Sequence, residues 1–119
     1  MLFFDTYAIW EIRESNPAYA AFSNENFVCT IFNLAEYYTA LRRKTDAYTA
    51  SKIARMLDEC LVNVSVKNII DAVEMRKKFN KSDMSLTDCV GYIKGKELGI
   101  KFLTGDKAFE KMDNVEFVR

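Results

Sequence analysis

Residues 2–4 are Leu-Phe-Phe, a short apolar run cut off by Asp5. Apolarity without alternation over so few positions predicts a strand buried on both faces. Residues 6–14 predict a helix with Ile9 and Ile12 turned inward. Asn16-Pro17 breaks it, and residues 18–22 predict one further helical turn. Phe27-Val28-Cys29-Thr30 predicts a second buried strand. Over residues 33–43, Leu34, Tyr37, Tyr38 and Leu41 recur at spacings of three and four, the signature of a helix with one apolar face. Ala50, Ile53, Ala54, Leu57 and Leu61 form a second such stripe, predicting a helix over 46–61. Val62, Val64 and Val66 then alternate as in a strand. Residues 68–79 and 85–98 predict two more helices, the latter with Leu86, Cys89, Val90 and Ile93 inward. Residues 101–104 predict a strand, a short helix follows near Lys107, and residues 115–118 predict the last strand.

Strands and helices therefore alternate, joined by short loops. That order predicts an α/β fold: a central parallel sheet of four to five short strands, with helices on both faces. No internal repeat and no linker composition interrupts the chain, so residues 1–119 read as one domain. Half of the 119 residues are hydrophobic, with one Pro and four Gly, which suits a packed core and excludes a low-complexity chain.

Charge and cysteine content narrow the chemistry. Lys plus Arg and Asp plus Glu are 17 each, so no global basic field draws in nucleic acid. Local patches or bound cations would have to do so. Cys29, Cys60 and Cys89 are far apart, and the chain has no His. This argues against a structural zinc site and against Cys/His or Ser/His catalysis. Free thiols in apolar company suit a reducing cytoplasm. No apolar run is long enough to span a membrane, and no basic segment precedes the first apolar run. The expectation is a cytoplasmic protein.

Ligands of open parallel sheets bind at the carboxyl ends of the strands. Asp5 ends the first predicted strand, and Asp106 lies two residues beyond Thr104 in the predicted strand 101–104. Glu36 and Asp88 sit in the first turns of two helices. In a parallel sheet the first pair shares an edge, and the second pair can point at it. Crowded carboxylates repel and resist desolvation. Mg²⁺ or Mn²⁺, which prefer oxygen donors, resolve that conflict. Each acid also has an ordinary explanation. Asp5 and Asp106 can cap the helices that follow them. Asn33-x-x-Glu36 and Ser85-x-x-Asp88 can form capping boxes.

Taken in order, Phe3-Phe4-Asp5-Thr6, Asn33-Leu34-Ala35-Glu36, Ser85-Leu86-Thr87-Asp88 and Leu103-Thr104-Gly105-Asp106 resemble the PIN domain, and most of all the VapC-type toxins of toxin–antitoxin pairs. The resemblance spans nearly the whole chain. It implies a three-layer α/β/α fold and a Mg²⁺- or Mn²⁺-dependent ribonuclease. It implies Asp5, Glu36, Asp88 and Asp106 as metal ligands, with Thr104 the hydroxyl residue beside them and Thr6 in a similar supporting part. It also implies an RNA substrate, an antitoxin protein as partner and a homodimer. Gly105 departs from the pattern, standing where many relatives carry a larger residue.

The remaining features each have two readings. Arg42-Arg43-Lys44 and Arg76-Lys77-Lys78 with Lys81 either complement helix dipoles or contact RNA phosphate. Lys94 and Lys96 could flank the acidic pocket. Tyr7, Trp10, Tyr19, Phe22, Tyr37, Tyr38 and Tyr48 are mostly core, with some free to line an outward groove. Gly91, Gly95 and Gly99 predict close packing, inside the fold or across a dimer. Two rival functions stand beside the nuclease. One is a catalytically silent PIN-like interaction module, which need not keep four acids. The other is a phosphotransfer or dehalogenase-like enzyme with Asp5 as nucleophile, a class that usually shows Asp-x-Asp where this chain has Asp5-Thr6-Tyr7.

Overall fold

The computed structural model describes residues 1–79 and 83–119. Lys81, read above with a basic helix end, lies outside the described residues.

Phe3 and Phe4 decide the architecture. Neighbouring strand residues point to opposite faces, yet both rings are buried, so their strand must be covered on both sides. This strand, β1 (Leu2–Phe4), is one of two central strands. Its neighbours are β2 (Phe27–Val28) and β3 (Phe102–Thr104), and β3 pairs in turn with β4 (Val115–Phe117). The order is β2-β1-β3-β4, all parallel. Phe3 is in register with Phe102, and Thr104 with Phe117.

On the Phe4 face lie α1 (Thr6–Arg13), α2 (Ile31–Arg42) and α3 (Ala47–Arg55). Phe4 stacks on Phe27 at 4.3 Å and lines one cavity with Ile9, Tyr37 and Ile53. On the Phe3 face lies α5 (Leu86–Leu98), backed by α4 (Val66–Lys78). Gly91 and Gly95, one turn apart on α5, leave room for Phe3. A Cβ on Gly91 would stand 2.7 Å from the Phe3 ring and 3.0 Å from that of Phe102. The close packing expected of this glycine face is therefore inside the fold. Gly99 plays a separate part: at φ 71° it closes α5 in the left-handed conformation that Gly adopts without steric cost.

Four sheet strands form where four to five were expected. The alternating 62–66 segment makes no strand; an isolated bridge, Cys29 with Leu61, lies just before it. The segment's last residue belongs to a helix instead. Ser65 caps α4 by accepting from the Asn68 N–H, while Asn68 reaches back to the Ser65 N–H, so Val66 is the first helical residue and is exposed. The helix expected over 46–61 ends at Arg55. Beyond it the bonds tighten to a three-residue pitch, Met56 to Ile53 and Leu57 to Ala54, and a 3₁₀ turn spans Asp58–Cys60. The turn after the break forms as a 3₁₀ helix, Pro17–Phe22. Among the described residues, no helix is long and apolar enough to cross a membrane.

Candidate active site

Because the strands are parallel, their carboxyl ends share one edge. Asp5 follows β1 there, and Asp106 follows β3 by two residues. Both act as helix caps, as their ordinary reading expected. Asp5 accepts from the Ala8 N–H at 2.8 Å, and Asp106 opens the 3₁₀ turn Lys107–Phe109 by accepting from the Ala108 N–H at 3.0 Å. Asp88 stands in the first turn of α5, and its N–H donates to the Ser85 cap at 3.1 Å. Glu36 is not a cap. The capping box lies one turn earlier, between Thr30 and Asn33, so α2 starts at Ile31 and carries Glu36 in its second turn.

Two hydroxyl groups tie these acids to the frame. Thr104 donates to Asp5 Oδ2 and accepts from the Asp106 N–H at 3.0 Å, joining the ends of the two central strands. Thr6 donates to Glu36 Oε1 at 2.6 Å and accepts from Asn33 Nδ2 at 3.1 Å. Asn33 is fully buried, and its oxygen also takes the Thr30 N–H and hydroxyl. The run Thr30–Asn33–Thr6–Glu36 was missed at the sequence level. Asn33 was read as a cap, which it is in part, but its amide also fixes the direction of the Thr6 hydroxyl.

The electrostatics of the buried acids are set first by burial. Burial pushes the Asp5 carboxyl up to about 7. Hydrogen bonds from Thr104 and Ala8 pull it back, and the charges of Asp88 and Asp106 add to the rise. Burial likewise lifts Asp88 to about 6, with Ser85 opposing and with Asp106 and Glu36 contributing. In both groups the charges of neighbouring acids add less than burial does. The donors of the four acids are all hard oxygens, the chemistry that suits Mg²⁺ or Mn²⁺. Among the described residues, however, no three acidic, Cys or His side chains are arranged to close on one ion.

The other charged candidates separate cleanly. Lys94 is buried between α4 and α5, bonded to Glu97 at 3.0 Å and near Asn68. Lys96 pairs with Asp113 at 3.1 Å. Neither flanks the acids. Arg76 donates to the Met84 carbonyl. Of the aromatic residues, Tyr19 and Tyr37 are core, while Tyr38 lines a groove of about 560 Å³ between α2 and α3 with Ile31, Leu34, Ala54 and Arg55. Gly105 also has a reason here: a Cβ would meet the Tyr7 ring at 2.2 Å and the Val118 carbonyl at 2.7 Å.

No protein-family model matches the chain, and no curated protein does. Solved structures do. A chain of a toxin–antitoxin complex from Klebsiella pneumoniae superposes with a TM-score of 0.76 at 15% identity, over 98% of this chain and 96% of that one. A chain of FitAcB from Neisseria gonorrhoeae gives 0.72 at 15% identity over the same shares. A chain of VapBC2 from Rickettsia felis, in a complex bound to a promoter DNA fragment, gives 0.70 at 14% identity over the whole of both chains. The fold is PIN-like. At 14–15% identity the likeness is one of fold. At the carboxyl edge of the sheet this chain places Asp5 and Asp106, with Glu36 bonded to the Thr6 hydroxyl next to Asp5.

Proposed function

We propose that this chain is a Mg²⁺- or Mn²⁺-dependent endoribonuclease, the toxin of a toxin–antitoxin pair, with Asp5, Glu36, Asp88 and Asp106 as the residues that hold the metal. The observation that supports this reading is geometric: Asp5 and Asp106 follow the two central strands of a PIN-like sheet and are joined through the Thr104 hydroxyl, while Thr6, next to Asp5, bonds Glu36. Burying carboxylates side by side costs folding free energy. A site that keeps them despite that cost fits one built for a cation. Bound there, the ion would activate water and neutralise charge developing on a phosphodiester. The chain's own residues do the positioning. Thr104 holds Asp5 and the backbone of Asp106 in one arrangement, and Thr6, aimed by Asn33, holds Glu36.

The partners follow from the same reading. The similar structures are toxin–antitoxin complexes, and the apolar groove between α2 and α3 offers a surface that an antitoxin helix would fit. Three free cysteines suit a cytoplasmic protein. A silent interaction module is the second reading, favoured by the one observation that no three described acids close on a point.

RNA cleavage with and without Mn²⁺ separates the two. Cleavage should require the ion, stop with EDTA and return with excess Mn²⁺. Asp5→Asn and Asp88→Asn should abolish it while the fold persists, since Asn also caps helices well. Activity indifferent to EDTA, or wild-type rates in both variants, would sink the metal-nuclease reading and leave the module.

A further inference from the structure

Beside Glu36 opens a cleft of about 470 Å³, lined by Thr6, Ala35, Glu36, Thr39 and Arg43. Glu36, Thr39 and Arg43 follow one face of α2, so the cleft has an acidic end and a basic end. Seven residues of helix set these about 10 Å apart. The donors of the lining are spoken for, with one exception. The Thr6 hydroxyl donates to Glu36, and the Thr39 hydroxyl donates to the Ala35 carbonyl at 2.7 Å. Arg43 ends α2, is exposed, and has no ion-pair partner among the described residues.

Its neighbours in the basic run differ. Lys44 pairs with Glu14 at 3.3 Å and lies 5.3 Å over the Trp10 ring. Arg42 lines none of the described cavities. If the run existed merely to complement the helix dipole, Arg42 and Arg43 would be equivalent. The geometry makes them unequal, because Arg43 lines the cleft with Glu36, an acid of the candidate site, and Arg42 does not line it.

We propose that Arg43 is a phosphate-binding residue for the RNA strand, holding a phosphate adjacent to the one presented at the acids. This rests on the nuclease reading and deepens it. A guanidinium presents a planar fork of donors that matches two phosphate oxygens. Repulsion from Glu36 keeps that phosphate at the Arg43 end. In a chain with no net charge, such a local contact carries a large share of the attraction for RNA.

The test is the salt dependence of binding. A labelled single-stranded oligoribonucleotide is titrated with Asp88→Asn protein, which does not cut it, over a range of KCl concentrations. Each phosphate contact to a single strand adds about 0.7 to the slope of log affinity against log salt. Adding Arg43→Ala should make the slope shallower by about 0.7 and weaken binding roughly 3- to 10-fold. Arg43→Lys should restore the slope, since the charge returns, and Arg42→Ala should match the parent. In the cutting enzyme, Arg43→Ala should raise KM and leave kcat nearly unchanged. A parent-like slope for Arg43→Ala overturns the subsite alone. A parent protein that binds no RNA overturns the subsite and the nuclease reading together.

Discussion

Thr104 and Thr6 each have one proton to give, and each gives it to a carboxylate of the site. Burial, which the Thr104 hydrogen bond opposes at Asp5, sets a pH dependence of stability. Asp5 is lifted from an unfolded value of 3.8 to about 7, and Asp88 to about 6, chiefly by burial. The folded state therefore binds these protons more tightly than the unfolded one, and stability falls as pH rises through the shifted range. At about 1.4 kcal/mol per unit, the burden on Asp5 is on the order of a few kcal/mol at neutral pH and above. In EDTA, the melting temperature should climb as pH drops from about 8 to about 5. Exposed Glu97 and Asp113, whose values their partners lower, turn the trend only in more acid solution. Asp5→Asn should flatten the climb, and thermal melts across that range measure it. A parent whose melting temperature falls steadily over the same interval contradicts the burial-raised carboxyls described here. The acids were legible in the sequence because they stand directly after apolar runs or at helix starts. The Asn33–Thr6 bond was not, since it joins residues 27 apart that meet only when α1 and α2 pack.

At the scale of elements, the short strands were readable because parallel strands buried on both faces need uninterrupted apolar runs. Helix ends were harder. Thr30 and Ser65, each answered by an Asn three residues on, fix where α2 and α4 begin, and caps of that kind carry no periodicity. Val62, Val64 and Val66 show the opposite failure. A correct alternation was assigned to one strand although a helix starts inside it. The α5–sheet contact gives a sharp test of packing. Gly91 yields its side-chain space to Phe3 and Phe102, two aromatic rings in register on the central strands. Gly91→Val should overfill that contact and cost about 1–3 kcal/mol, more than the small gain in helix propensity returns. Urea denaturation reads the difference. A variant as stable as the parent would mean that α5 shifts freely over the sheet.

For the whole molecule, the glycine face is used up internally, so a homodimer needs another surface. On α4, Val66, Ile70 and Val73 are 77%, 57% and 40% exposed and fall along one stripe. If the homodimer expected from the sequence forms, this stripe is an apolar surface that it could bury. Light scattering at tens of micromolar should give twice the chain mass, and Ile70→Asp should give a monomer with an unchanged circular dichroism spectrum. A monomeric parent removes pairing from the account. Strand order has a consequence of a different kind. The two strands at the middle of the sheet are β1 and β3, and the hydroxyl of Thr104 meets Asp5 across 99 residues of sequence. A ribosome making this chain delivers Asp5 first and β3 only near residue 104. Until then β1 has no neighbour on that side, and the proposed site lacks Asp88 or Asp106 or both. On the nuclease reading, a growing chain would hold no complete set of the four acids until residue 106 had been made.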